Sequence, residues 1–417
     1  MRARLLLALL TALAAAPCLA AERTAVVLLF DGFAPSLLER APTPALDRIR
    51  AEGAWSHDLV PAFPTISVIN AVTVSTGCWP EHHGVVTNDF LDPQRGRYDH
   101  SGDADWLSGC EHLHQAAERQ GLASAAIGWV GARSETRGEL ATWVADESEL
   151  GCGDTLEESA RLDGARADRI VELLGRGAGG PRLVLGYFCG PDGAEHFTGM
   201  DSAETAANVA RSDAIVARIL AAIEARPDRD DVSLLITTDH GMLRVSHLVN
   251  IRRILASHGI EARAVSTGTT SFLYFDDPSR VDAAARALSR YEEFDVLRRG
   301  QLPDYARLGD GPRVGDLIVS AKPPYFIEDP EAWPGWARWL ARVGPEFVWA
   351  RFGLKATHGY PPDTEGMEGI LYAWGAGIAH REVPRVPNID IHPTVAHLLG
   401  IGPGRPVDGS LAAALLR

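Results

Sequence analysis

The sequence predicts an α/β protein with a mainly parallel central sheet and helices on both faces. Three observations carry this. Apolar, β-branched runs recur along the chain: TAVVLLF at 24–30, PRLVLGYF at 181–188, DVSLLITT at 231–238 and GILYAWG at 369–375. These runs are continuous, as strands covered on both faces are. Helical patterns separate them, and parallel strands need such crossovers.

In chain order, strand 24–30 is followed by a helix over 43–53 that stops at Gly53. A mostly apolar helix over roughly 68–76 follows the hydroxyls of Thr65 and Ser67. Next come a strand at 122–128, a helix at 156–175, strand 181–188 and a long helix at 202–225 that ends before Pro227. Strand 231–238 precedes a helix near 248–258, a strand at 271–275, a helix at 279–291 and a strand at 315–320. Strand 369–375 and a helix at 391–400, ended by Gly400, close the chain. Residues 301–365, rich in Pro, Gly and Trp, read as long loops over the sheet. With no repeat, low-complexity stretch or linker, residues 22–417 read as one domain.

The net charge of −15 is spread along the chain. That excludes a basic nucleic-acid-binding surface. An acidic protein still binds phosphate where metal ions reverse the local sign. The first residues form a secretory signal pattern over 1–21, with Arg2 and Arg4, an apolar stretch at 5–16 and a small-residue cleavage site. The apolar run is short for a membrane span and no later stretch is long enough. The expectation is an exported protein, periplasmic or secreted, without a stable membrane anchor. Cys78, Cys110, Cys152 and Cys189 follow the leader. They allow three pairings, and export favours a disulfide. Cys110 and Cys152, in Gly-flanked loops, form the expected pair, with Cys78 and Cys189 as buried thiols.

Three aspartates follow strands: Asp31, Asp192 and Asp239. In an open α/β sheet, ligands bind beyond the carboxyl ends of the strands. A lone aspartate there is ordinarily a helix cap. Three gathered at one edge stay ionised together only with cations among them. His196 lies four residues after Asp192, His240 adjoins Asp239, and His358 lies in a Gly/Pro-rich loop. Carboxylate and imidazole donors together suit zinc, less often manganese or iron. A hydroxyl at a helix N-terminus, Ser67 or Thr65, becomes a nucleophile when a base or metal deprotonates it.

The ordered set FDG at 30–32, PTIS…N at 64–70, TGCWPEHHGVVTN at 76–88, PDGAEH at 191–196, TDHGM at 238–242 and THGY at 357–360 resembles the nucleotide pyrophosphatase/phosphodiesterase family of the alkaline phosphatase superfamily. The resemblance implies an alkaline phosphatase-like fold and two Zn2+ ions. One would be held by Asp192, His196 and His358, the other by Asp31, Asp239, His240 and the nucleophile. The family's P-T-x-T motif places the nucleophile at Ser67, with Val68-Ile69 where the family has Phe-Pro. The other reading makes Ser67 a helix cap and Thr65 the attacker. Asn88 matches the asparagine that donates to a phosphoryl oxygen, and is otherwise a turn residue. The implied activity is phosphodiester hydrolysis through a phosphoseryl intermediate, on a nucleotide, dinucleotide or phospholipid-derived diester. A phosphomonoesterase on the same fold and a non-catalytic metal binder are the alternatives. Cys78-Trp79-Pro80-Glu81-His82 nearly matches the sulfatase C-x-P-x-R signature, but His82 replaces the arginine. Arg133 reads as a solvated loop residue, and Phe33, Phe90 and Trp129 as core.

Overall fold

The computed structural model describes residues 23–99, 104–145, 151–327 and 353–417. The leader read over 1–21 lies outside the described residues, as does part of the 301–365 segment. Among the described residues, no helix is long and apolar enough to cross a membrane.

A nine-stranded sheet forms the centre. From one edge the order is Arg381–Glu382, Ala54–Val60, Gly369–Gly375, Val232–Thr237, Thr24–Phe30, Leu183–Phe188, Ser124–Ile127 and Trp143–Val144, with Val386–Pro387 also paired to Ala54–Val60. Gly369–Gly375 runs against both neighbours, and the other pairings are parallel. The mainly parallel sheet expected from the continuous apolar runs is present.

Side-chain alternation divides each central strand between two cores. Ala25, Val27 and Leu29 join Leu183, Leu185, Tyr187 and Leu235 on one face, against Ala71, Val74, Leu113 and Val395. Val26, Leu28 and Phe30 face Leu46, Ile49, Ile170 and Ile219 on the other. The second face carries helices Pro44–Glu52, Leu156–Leu174 and Ala203–Glu224. The first carries Ser67–Thr76, Leu113–Glu118 and Ile391–Leu399.

Helix Ser67–Thr76 is buried from Val68 to Thr76. A helix apolar on every side has no solvent face to offer. Ala71 and Val74 pack on the central sheet, while Val68, Ile69 and Val72 pack on a second, antiparallel sheet. That sheet has the order Arg263–Thr267, Thr270–Tyr274, Leu317–Ala321, Phe294–Arg298. The strands expected at 271–275 and 315–320 therefore leave the central sheet. Strand Arg263–Thr267, absent from the sequence reading, pairs with Thr270–Tyr274 through a two-residue turn that places Gly268 at φ 60°. Part of the 301–365 segment is likewise ordered: Leu317–Ala321, Tyr325–Ile327 and Ala356–Thr357 are strands.

The expected Cys110–Cys152 bridge is not formed. Cys78 pairs with Cys110 and Cys152 with Cys189, leaving neither Cys78 nor Cys189 a thiol. The fold decides the pairing. Gly77 ends the Ser67 helix in a left-handed turn, bringing the Cys78 Cα to 6.6 Å from that of Cys110. This is within bridging range.

Buried imidazoles brace the same helix. His83 Nε2 lies 3.1 Å from Thr73 Oγ1, His112 Nδ1 2.9 Å from Ser75 Oγ, and His392 Nδ1 2.8 Å from the Ser75 carbonyl. His83 Nδ1 accepts Val85 N–H at 3.1 Å, so a second proton has no acceptor there. Burial, then neighbouring His112 and His82, push the His83 imidazole down to about 3.

Two predictions follow from this architecture. Replacing Cys78 and Cys110 by serine removes a cross-link with a sequence separation of 32. Unfolding free energy in urea should fall by about 3–4 kcal/mol on loop-entropy grounds. The second concerns acid. A depressed folded pKa means that the unfolded chain takes up the proton first, so His83 loses stability as pH falls from about 6.5 toward about 3. His83→Asn should flatten the stability–pH slope near pH 5 by about 1.3 kcal/mol per pH unit. An unchanged slope would show that His83 titrates alike in both states.

Candidate active site

Val232–Thr237, Thr24–Phe30 and Leu183–Phe188 are adjacent at the middle of the sheet. Their carboxyl ends lead to Asp239, Asp31 and Asp192, all on one rim. Alternation continues past Leu29 to Asp31, on the face that helix Ser67–Thr76 covers. The loops leave little room. A Cβ on Gly32, which has φ 71°, would meet the Asp192 Cβ at 2.9 Å. Gly32 N–H and His240 N–H donate to Asp239 Oδ1 at 3.1 and 3.0 Å, fixing that carboxylate.

Three histidines face these carboxylates in one orientation. Nδ1 of His196 lies 2.8 Å from the Ala356 carbonyl, that of His240 2.9 Å from the Gly241 carbonyl, and that of His358 2.8 Å from the Thr65 carbonyl. A carbonyl only accepts, so each Nδ1 carries a proton and Nε2 is the atom each ring presents to the carboxylates. This is how metal-binding imidazoles are oriented. His196 Nε2 lies 3.2 Å and His358 Nε2 3.6 Å from Asp192 Oδ1. His240 Nε2 lies 3.3 Å from Asp31 Oδ1 and 3.6 Å from Asp239 Oδ2. Two groups have donor atoms within 4.8 Å of one another: Asp192, His196 and His358, and Asp31, Asp192 and His240. Asp192 thus bridges both.

The donor set fits divalent cations. Asp192 Oδ1 and Asp239 Oδ2 are buried without a hydrogen-bond partner among the described residues. A buried anionic oxygen in that state is costly unless a cation meets it. Burial, then Asp239 and Asp192, push Asp31 well above the carboxylate range. Burial acts the same way on Asp192, but His196 outweighs it and holds that carboxyl low. Burial, then the stacked His240 ring at 3.6 Å, keeps His358 neutral. Metal binding needs ionised carboxylates and neutral imidazoles.

Ser67 Oγ sits beside this cluster, 3.3 Å from Asp31 Oδ1 and 3.1 Å from His240 Nε2. Thr65 is occupied elsewhere. Its Oγ1 accepts Gly359 N–H at 2.9 Å and donates to the Tyr360 carbonyl at 3.0 Å. It therefore ties down the loop that carries His358. Asn88 Oδ1 accepts Val68 N–H at 2.9 Å in the first turn of the helix, which turns its Nδ2 donors away from Val68. Asn70 is structural. Its Oδ1 accepts Ala62 N–H at 2.7 Å and Asn388 Nδ2 at 2.8 Å, pinning the Ala62–Ile66 approach to the helix.

Other sequence candidates lie elsewhere. Cys78 is bridged, and His82 Nδ1 lies 2.6 Å from Asp408 Oδ2 on the surface, so the sulfatase-like stretch has no exposed thiol. Phe33, Phe90 and Trp129 are core, and Arg133 donates to the Ala145 carbonyl at 3.2 Å. The sequence reading missed two groups. Tyr187 donates its hydroxyl to Asp31 Oδ2. Glu195, fully buried beside His196, has no partner for either oxygen among the described residues and is pushed well above its ordinary range by burial, then by Asp192. Alternation along strand Leu183–Phe188 was a signal for Tyr187; Glu195 had none.

The chain is similar to known proteins along most of its length. The model of the type I phosphodiesterase / nucleotide pyrophosphatase family matches residues 25–361. An uncharacterized pyrophosphatase/phosphodiesterase of Schizosaccharomyces pombe is 25% identical, over 94% of this chain and 80% of its own length. Ectonucleotide pyrophosphatase/phosphodiesterase family member 7 of Rattus norvegicus is 25% identical, over 91% and 84%. A bis(5'-adenosyl)-triphosphatase of Xenopus laevis is 23% identical, over 93% and 80%. The murine ectonucleotide pyrophosphatase/phosphodiesterase 5, solved as an inactive variant with AMP, superposes with a TM-score of 0.80 at 21% identity, over 95% of this chain and all of that one. With the family match spanning most of the chain and the fold shared, this protein belongs to the type I phosphodiesterase / nucleotide pyrophosphatase family, metal-dependent hydrolases of phosphoric esters within the alkaline phosphatase superfamily.

Proposed function

We propose that this chain is an exported phosphodiesterase that cleaves small phosphate diesters through a phosphoseryl intermediate on Ser67. The observation that carries the reading is the position of Ser67 Oγ, against Asp31 Oδ1 and His240 Nε2 at a half-buried helix start. Asp192, His196 and His358 would hold one divalent ion, and Asp31, Asp239, His240 and Ser67 the other. The mixture of imidazole and carboxylate favours zinc for both. Such ions lower the pKa of an oxygen donor and offset phosphoryl charge.

Ser67, having given its proton to solvent, attacks phosphorus in line. An Oγ–P bond forms as the bond to the leaving alcohol breaks, and the alcohol takes up a proton. Asn88 donates from Nδ2 to a non-bridging oxygen, and the helix start adds its partial positive charge. Water then attacks phosphorus from the vacated side. The Oγ–P bond breaks, the monoester departs and Ser67 recovers its proton. The Xenopus relative is named for a dinucleotide and the murine structure holds AMP, so nucleotide diesters are the first substrates to try.

Two experiments test this. Ser67→Ala should lower kcat/KM on bis-p-nitrophenyl phosphate by at least about 10³-fold. Thr65→Ala should cost about 1–2 kcal/mol of stability through its lost hydrogen bonds and less than about 10-fold in kcat. The reverse pattern would make Thr65 the nucleophile. Faster turnover of p-nitrophenyl phosphate would indicate a monoesterase, and turnover of neither ester a binding protein. Separately, stripping metal with dipicolinate should abolish activity and lower the unfolding temperature, because the carboxylates then face one another uncompensated. Zinc should restore both, and full activity after complete stripping would overturn the reading.

A further inference from the structure

Tyr187, on the central strand Leu183–Phe188, reaches the cluster with its hydroxyl. We infer that Tyr187 is a positioning residue, whose hydroxyl holds Asp31 Oδ2 so that Oδ1 alone faces His240 and Ser67. This inference rests on the metal-centre reading above.

Leu29 pairs with Tyr187 on adjacent parallel strands, two residues before Asp31. Tyr187 and Asp31 therefore share the face of the sheet that helix Ser67–Thr76 covers. The phenol reaches along that face to Asp31 Oδ2. Oδ1 of the same carboxylate lies 3.3 Å from both His240 Nε2 and Ser67 Oγ. The two oxygens thus have separate tasks, one held by a donor from the strand and one presented to the cluster.

Asp239 is divided in the same way. Its Oδ1 accepts two backbone N–H groups and the Thr238 hydroxyl, and its Oδ2 has no hydrogen-bond partner among the described residues. Backbone donors cannot be lost by mutation, whereas Asp31 accepts from side chains, Ser67 at Oδ1 and Tyr187 at Oδ2. That makes Tyr187 a removable support of Oδ2. It is 5% exposed and packed in the core with Leu185, Leu235 and Leu371. Its ring fills the same space as that of phenylalanine, so Tyr187→Phe removes the donor alone.

The test is competitive zinc titration against a chromogenic chelator, with kcat and KM on bis-p-nitrophenyl phosphate and thermal melting of the metal-free protein. Tyr187→Phe should weaken one of the two zinc-binding steps by about 10–100-fold. It should lower kcat more than KM, and leave the metal-free melting temperature near that of the parent. Asp31→Asn serves as the reference. If Asp31→Asn abolishes one binding step but Tyr187→Phe leaves both affinities within about 3-fold, the positioning role is wrong and the metal centre stands. If Asp31→Asn also leaves zinc stoichiometry unchanged, the metal-centre reading itself fails. Equal loss of metal-free stability and of affinity in Tyr187→Phe would mark the residue as packing only, and would also overturn the proposal.

Discussion

The structure depends on a crowding of negative charge at one rim of the central sheet. Asp31, Asp192 and Asp239 emerge from three adjacent strands, and His196, His240, His358 and the Tyr187 hydroxyl face them. Those imidazoles are fixed with Nε2 inward and Nδ1 bonded to backbone carbonyls. In that orientation Nε2 is the donor each ring would offer a cation. Carboxylates and neutral imidazoles so arranged are stable together around divalent cations. The buried oxygens of Asp192 and Asp239 that have no hydrogen-bond partner among the described residues are the local sign of it.

The rest of the fold serves to hold Ser67 beside that cluster. Its helix is wedged between the central sheet and the smaller antiparallel sheet, with no exposed side from Val68 onward. Asn70 fixes the chain entering the helix, Asn88 caps the first turn, and His83, His112 and His392 brace the later turns. Thr65 links the same approach to the loop bearing His358. Ser67 and the loop bearing His358 are thus parts of one packed unit, so small displacements of either are resisted by the core.

Much of this was legible in the sequence, for identifiable reasons. Continuous apolar runs exposed the central strands, and the ordered motifs picked out the aspartates, the histidines and Ser67. What escaped was whatever depends on contacts distant in sequence. Strand Arg263–Thr267 is short and half polar, and only its partner Thr270–Tyr274 reveals it. The disulfides follow from where Gly77 turns the chain and where strand Leu183–Phe188 ends, which spacing does not encode. Tyr187 reads as an ordinary strand aromatic until its register against Leu29 is known. The choice between Ser67 and Thr65, open on motif grounds, turns on which hydroxyl already has backbone partners.

The most direct measurement is anomalous diffraction at the zinc absorption edge from crystals of the zinc-loaded protein. Two strong peaks are expected, one among Asp192, His196 and His358, and one among Asp31, Asp239, His240 and Ser67 Oγ. Peaks confined to surface histidines, or none between these side chains, would contradict it.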